Sequence, residues 1–256
     1  MMTERLIDLK GRKAIVTGGA RGIGRATAIM LARAGAHVGI AYRTREDEAA
    51  QTLAELRRLG SSAWSVAADL GEPEGVAKLF EHCDSEFGWL DIFVANAGIW
   101  PPEYVALVEM ADGQWDEVIK ANLTSVFLTV REAARRMADG GKVVIVSSTA
   151  GQRGEAGHSD YAATKGAIIS FVKSLAVELA PRDVQVNAVA PGWVDTDMAA
   201  PALEGEEREK VLATIPLGRL ASPEDIAGPI VFLCSKLARQ VTGEVLNVNG
   251  GSVLCG

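Results

Sequence analysis

Histidine, tyrosine and cysteine are scarce in this 256-residue sequence, at three of each. Cys83, Cys234 and Cys255 form no CxxC pair, and a reducing compartment is the expectation, with Cys83 and Cys234 packing helices. His37, His82 and His158 show no HExxH or comparable ligand spacing, so no metal centre is expected. No stretch free of charge is long enough to span a membrane, and Met1 to Lys10 lacks the apolar core of a signal peptide. A cytoplasmic protein without a membrane partner is therefore expected. Positive charge is the minority, 26 Lys plus Arg against 33 Asp plus Glu, and the formal charge of −7 argues against a nonspecific nucleic-acid binder. Linkers, repeats and low-complexity tracts are also missing, so residues 1–256 read as one domain.

What is present suits a buried core: 48% of residues are hydrophobic. Short β-branched runs alternate with amphipathic stretches. Strands are predicted at 14–17, 37–42, 65–67, 91–95, 142–146, 185–189 and 244–248. Helices are predicted at 23–33, 46–59, 73–87 and 161–179, with one or two segments between Gln114 and Met137. Strands apolar on both faces imply a mostly parallel sheet covered by helices on both sides, an α/β doubly wound, Rossmann-type fold. Ligands of such sheets bind at the carboxyl ends of the strands, near the switch in strand order. The least regular stretch, 195–217, contains Pro201, a charged run from Glu204 to Lys210, and Pro216. It reads as a short helical insertion, either a solvated flap or a substrate lid.

Thr17-Gly-Gly-Ala-Arg-Gly-Ile-Gly24 joins the first strand to the first helix. Gly18, Gly22 and Gly24 permit a tight turn and close backbone approach, with Arg21 and Ile23 between them. A pyrophosphate would rest against the helix N-terminus, where amides and the helix dipole favour negative charge. The spacing is a variant of GxGxxG. The second strand ends in Ala41-Tyr42-Arg43-Thr44, without the Asp or Glu that receives the ribose hydroxyls in an NAD site. Arg43, with Arg21 as a second cation, suits a 2′-phosphate, so NADP(H) is favoured and NAD(H) is not excluded. Asp69 and Leu70 follow the third strand; Asp69 either contacts the adenine or fixes the local turn. Asn96-Ala97-Gly98 ends the fourth strand with residues small enough for backbone to approach a cofactor.

Ser148 ends the fifth predicted strand, and Tyr161 and Lys165 lie one helical turn apart. Singly, these are a turn serine, a helix-start tyrosine and a helical-face lysine. Together they suit carbonyl reduction. Tyr161 would donate a proton to the carbonyl oxygen, or accept one in the reverse direction. Lys165 would lower the phenol pKa from its usual ~10 and hold the cofactor ribose. Ser148 would hydrogen-bond the substrate oxygen and steady its developing charge.

Over essentially its full length the chain resembles a classical short-chain dehydrogenase/reductase. The resemblance is carried by the glycine motif 17–24, Asn96-Ala-Gly98, Asn122, Ser148, Tyr161-Ala-Ala-Thr-Lys165 and Pro191-Gly192. It implies a seven-stranded parallel sheet of order 3-2-1-4-5-6-7 and hydride transfer without a catalytic metal. It implies a water-linked proton relay through Lys165 maintained by Asn122, and a structural role for Asn187. Pro191, Gly192, Val194 and Thr196 match cofactor positions, the last two at the nicotinamide carboxamide. A homotetramer is the implied assembly.

Within the family, Ile215-Pro-Leu-Gly-Arg219, Pro223-Glu-Asp225 and Val241-Thr-Gly-Glu-Val245 are most similar to bacterial 3-oxoacyl-(acyl carrier protein) reductases. A carrier protein is acidic and needs a positive surface. Arg182 matches one docking arginine, but Asp139 stands at the other, with Arg135 and Arg136 nearby to compensate or merely to face solvent. NADP(H)-dependent carbonyl reduction of a 3-oxoacyl thioester is the leading expectation, within the broader class of a small-molecule carbonyl or alcohol substrate. An NAD(P)-dependent sugar, polyol or small-alcohol dehydrogenase is the alternative, with 151–160 and 198–217 around its mouth. There His158 and Gln152 would offer hydrogen bonds and Trp193 and Met198 apolar contact. A weakly catalytic nucleotide-binding regulatory protein is the alternative of another class.

Overall fold

The period-two alternation of apolar residues along each central strand sends successive side chains into two different cores. Ala14 and Val16 of β1 (Lys13–Thr17) pack on one face of the sheet, and Ile15 on the other. The same holds for Ile92 and Val94 against Phe93 and Ala95 in β4 (Leu90–Ala95). One face is covered by α1 (Gly22–Arg33), α2 (Glu46–Arg58) and α9 (Pro223–Leu233). The opposite face is covered by α3 (Pro73–Glu86), α5 (Ser125–Arg136) and α7 (Ser159–Leu179). The computed structural model describes residues 6–255; Met1–Arg5, which belong to the leading stretch read above, and Gly256 lie outside the described residues.

The remaining strands are β2 (His37–Tyr42), β3 (Trp64–Ala67), β5 (Met137–Val146), β6 (Gln185–Pro191) and β7 (Val245–Val248). All seven are parallel neighbours in the order β3-β2-β1-β4-β5-β6-β7, as the family resemblance implied. The chain reverses direction across the sheet between β1 and β4. The connections that leave β1 and β4 there run to opposite faces of the sheet and leave a crevice at the carboxyl ends.

Two local readings need correction. The stretch expected to be helical up to Met137 is α4 (Asp112–Ile119), a π-helical turn (Lys120–Thr124) and α5, and Met137 already belongs to β5, paired with Leu90. Asp139-Gly140-Gly141 follows, and Gly140 has φ +78, which a helix cannot accommodate. Secondly, α9 is a full helix that the hydrophobic pattern left unassigned. Its start is a capping box: Ser222 Oγ accepts from Asp225 N at 3.1 Å, and Asp225 Oδ2 accepts from Ser222 N at 2.8 Å.

The 195–217 segment is a short helical insertion, with a 3₁₀ turn at Ala200–Ala202 and α8 (Gly205–Ala213). Among the described residues, no helix is long and apolar enough to cross a membrane.

Candidate active site

The crevice deepens into a cavity of about 360 Å³ that runs from the β2–α2 connection to the start of α7. The glycine turn forms its floor. Gly18 has φ +64, a conformation that L side chains avoid. Gly24 is there for space: a Cβ at this position would stand 2.1 Å from Gly18 O and 2.6 Å from Asn96 Nδ2. Asn96 clamps the turn. Its Nδ2 donates to Thr17 O (3.0 Å) and Gly18 O (3.3 Å), while Thr17 Oγ1 accepts from the amides of Asn96 and Ala97, both at 3.0 Å. Asn96 thus does more than leave room for a cofactor; it holds the glycine turn to the end of β4.

No side chain caps α1. Arg21 is its N-cap without a capping bond, and the first turn carries no acid. Those amides are left for an anion. Arg21 reaches instead to Asp197 in the insertion, at 3.1 Å. Arg43 is exposed beside the cavity, and Arg45, which the sequence reading passed over, lines the same end. Asp69 Oδ1 accepts from Gly71 N at 3.0 Å, so it fixes the local turn while also lining the cavity with Leu70.

Every cofactor residue expected from sequence lines the cavity except Gly24, which is packed beneath it. That includes Gly22, Ile23, Tyr42, Gly98, Pro191, Gly192, Val194 and Thr196.

At the other end, Ser148, Tyr161 and Lys165 line one wall. Two bonds fix α7 to β5: Ser147 Oγ donates to Lys165 O at 2.8 Å, and Lys165 Nζ donates to Val146 O at 2.8 Å. Ser148 Oγ accepts from Ala150 N at 3.1 Å within the turn into α6 (Ala150–Arg153). Ahead of Tyr161, the fully buried Asp160 accepts from Tyr161 N (2.7 Å) and from Gln114 Nε2 (2.9 Å), which locks the helix start.

Asn122 sits behind this wall, wholly buried in the π-helical turn, and does not line the cavity. A Cβ at Gly98 would stand 3.0 Å from Asn122 Oδ1 and 3.7 Å from Lys165 Nζ, so these two groups flank the same backbone.

Burial sets the electrostatics. It brings the Lys165 ammonium down to about 8. It pushes the Tyr161 phenol up to about 12, with the Ser148 hydroxyl acting the other way and the Glu155 carboxylate adding to the rise. The expected lowering of the phenol by Lys165 is therefore not what this structure holds. The Lys165 ammonium is directed at Val146 O and lies 5.6 Å from the Tyr161 ring centroid.

The substrate mouth also differs from expectation. Trp193 and Met198 line it, but Gln152 and His158 do not. Gln152 Nε2 donates to Asn247 Oδ1 at 2.6 Å, and His158 is buried with its ring stacked on Trp100. Arg153 and Glu155, within the 151–160 stretch expected at the mouth but not singled out there, line the cavity in their place, together with Trp100, which nothing in the sequence marked. Asn187 has the structural role expected: Nδ2 donates to Val241 O at 2.9 Å, and Oδ1 accepts from Glu244 N at 3.1 Å.

Known proteins share both the sequence and this architecture. The family described as Enoyl-(Acyl carrier protein) reductase matches residues 18–252. The 3-oxoacyl-[acyl-carrier-protein] reductase FabG of Aquifex aeolicus is 43% identical over 96% of this chain and 98% of its own length. The Escherichia coli FabG is 40% identical over the same shares. Among solved structures, a dehydrogenase/reductase from Sinorhizobium meliloti superposes with TM-score 0.91 at 35% identity, covering 96% of this chain and 97% of that one. A short chain dehydrogenase from Burkholderia cenocepacia, in complex with NADP, gives 0.90 at 34%, covering 95% and 98%. The chain belongs to the classical short-chain dehydrogenase/reductase family, whose members are oxidoreductases acting on CH–OH and C=O groups.

Proposed function

We propose that this protein is an NADP(H)-dependent carbonyl reductase, and in reverse an alcohol dehydrogenase, with Tyr161 as its proton donor and acceptor. The observation that carries the reading is one cavity with a glycine turn and arginines at one end and Ser148, Tyr161 and Lys165 at the other. The residues fit the cofactor. The cradle under Gly24 has no room for a Cβ, the α1 amides have no side-chain cap, and β2 is followed by arginines where an NAD site carries an acid. Arg43 and Arg45 would take the 2′-phosphate, the α1 amides the pyrophosphate, and Val194 and Thr196 the carboxamide. When bound, the nicotinamide supplies hydride to the substrate carbon or takes it away.

Tyr161 is protonated at neutral pH, as an ordinary phenol is, and burial, which pushes it up to about 12, keeps it so at higher pH. It is thus ready to give a proton to the carbonyl oxygen as that oxygen gains charge. Ser148 Oγ accepts from Ala150 N within its turn, and its hydroxyl, which faces the Tyr161 phenol, would donate to the same substrate oxygen once that oxygen lies between the two. Lys165, anchored on Val146 O, would hold the ribose and replenish the Tyr161 proton, along the route that the family resemblance assigns to Asn122. Purified protein should oxidise NADPH with a carbonyl panel, and Tyr161→Phe should lower kcat about 10²–10⁴-fold. Full activity in that variant would remove Tyr161 from the reaction.

The preferred substrate is a free small carbonyl compound. A 3-oxoacyl thioester is the second reading, favoured by the likeness to the two FabG proteins. A docked carrier protein is disfavoured by the ties of Arg182, whose guanidinium donates to Asp139 (3.1 Å), Ala134 O (2.9 Å) and Met137 O. Arg135 is held by Glu132, and Arg136 by Asp84 and Glu132. Apolar Phe127 on α5 and Val177 on α7 are exposed and suit the helix pairing of a homotetramer.

A further inference from the structure

The Tyr161 end of the cavity holds two charged groups that the chemistry above does not use. Arg153 ends α6, and Glu155 follows in the loop to α7; both line the cavity together with Trp100, Trp193 and Met198. Arg153 is exposed, whereas the Glu155 side chain retains only 17% of its surface.

Glu155 is held from behind. Its Oε1 lies 3.7 Å from Nδ1 of the buried His158, and the Trp100 indole favours its ionised form. The His158 ring is stacked on Trp100 with centroids 4.8 Å apart, and Trp193 meets Trp100 edge-on at 5.8 Å. The result is a half-desolvated carboxylate, its pKa raised by burial, backed by His158 and Trp100. Its charge reaches Tyr161, where it raises the phenol pKa.

Three kinds of substituent beside a substrate carbonyl meet this wall differently. A carboxylate would pair with the exposed, solvent-screened Arg153 but bring like charge to Glu155, whose side chain has little water around it. An ammonium would satisfy Glu155 but oppose Arg153. A hydroxyl donates to Glu155 and accepts from Arg153, and so uses both. The indole walls pack against the C–H surface of such a compound, and their N–H edges remain polar.

We propose that Glu155 is a specificity-determining residue that, with Arg153, selects neutral carbonyl compounds carrying hydroxyl groups beside the carbonyl, in the manner of hydroxyketones and keto-sugars, and rejects those with a carboxylate there. This rests on the carbonyl-reductase reading and names its substrate class.

The test compares NADPH-dependent kcat/KM for dihydroxyacetone, acetoacetate and 2,3-butanedione in the wild type and in Glu155→Gln. Butanedione is the common denominator, so an effect of the substitution on Tyr161 cancels from each ratio. The ratio for dihydroxyacetone should fall about tenfold or more in the variant, and the ratio for acetoacetate should rise. Unchanged ratios would overturn the assignment, as would a wild type that reduces acetoacetate as well as dihydroxyacetone. If the wild type reduces none of the three, the proposed function fails with them, and calorimetric titration of the NADPH-loaded protein with dihydroxyacetone decides the specificity question separately. Binding weakened about tenfold by Glu155→Gln supports it; binding that is undetectable, or unaltered by the substitution, overturns it.

Discussion

Asn122 and Ile99 hold one another through two hydrogen bonds of opposite direction. Ile99 N donates to Asn122 Oδ1 at 2.7 Å, and Asn122 Nδ2 donates to Ile99 O at 2.8 Å. The pair ties the π-helical turn to the segment that leaves β4, beside Gly98 and Lys165. Asn122→Ala leaves both backbone groups of Ile99 without that partner and should cost about 1–3 kcal/mol in urea denaturation. Asn122→Asp keeps the acceptor but sets a buried carboxylate oxygen against Ile99 O, so its loss should be at least as large. Equal stability of the Ala variant and the wild type would show that water replaces both bonds.

Arg43 is the test of cofactor choice. Arg43→Ala should raise the Kd for NADPH about ten- to hundredfold, the range of a lost charge-assisted hydrogen bond, and leave that for NADH nearly as it was. Adding Arg45→Ala should narrow the remaining preference further. Fluorescence titration with both nucleotides measures this, and equal losses for the two would reject the 2′-phosphate assignment.

Lys165 gives a pH-dependent prediction in stability. Its folded pKa, about 8, lies below the ordinary 10.5, so between these values the unfolded chain binds more protons than the folded one. Stability from this group therefore rises with pH across that window. Tyr161, raised from 10 to about 12, works in the opposite sense at higher pH, where the folded state keeps the proton longer. Lys165→Met removes the first effect. Any stability advantage of the variant over the wild type should be greatest near pH 7 and shrink towards pH 10. Parallel pH profiles of melting temperature would show that the ammonium is solvated better than its surroundings suggest.

Arg182 separates a structural arginine from a docking one. Arg182→Ala should lower stability by about 1–3 kcal/mol, because Ala134 O and Met137 O lose their donor. The ratio of turnover with a carrier-bound 3-oxoacyl thioester to turnover with the matching coenzyme A thioester should stay the same. A selective loss with the carrier-bound substrate would restore the docking reading.

The strands and most helices were legible because their signal is periodic: Ile92 to Ala95 alternate between two cores, and α7 keeps one long apolar stripe. The glycine turn and the Tyr161–Lys165 spacing were legible for a related reason, since both depend on short-range geometry. The π-helical turn was not, because Lys120–Thr124 has an ordinary helical composition and its altered bonding arises from the tertiary anchoring of Asn122. Nor did the sequence show the balance at Tyr161. A lysine four residues on suggests a lowered phenol, but how deeply a group is buried is decided by the packing of distant segments. Glu155 lay within the 151–160 stretch expected at the mouth but was not singled out, since its place beside Trp100 and His158 is set by tertiary packing.

The reversal of strand order at β1 and β4 also bears on how substitutions combine. Arg43 and Arg45 follow β2 on one side of the reversal, whereas Glu155, Trp193 and Met198 follow β5 and β6 on the other. Changes that retune the nucleotide preference and changes that retune the substrate should therefore add independently, as sites without shared partners do. The exception is the bridge from Arg21 in the glycine turn to Asp197 in the insertion. Altering either residue would reach across the reversal, so epistasis between the two specificities should concentrate there.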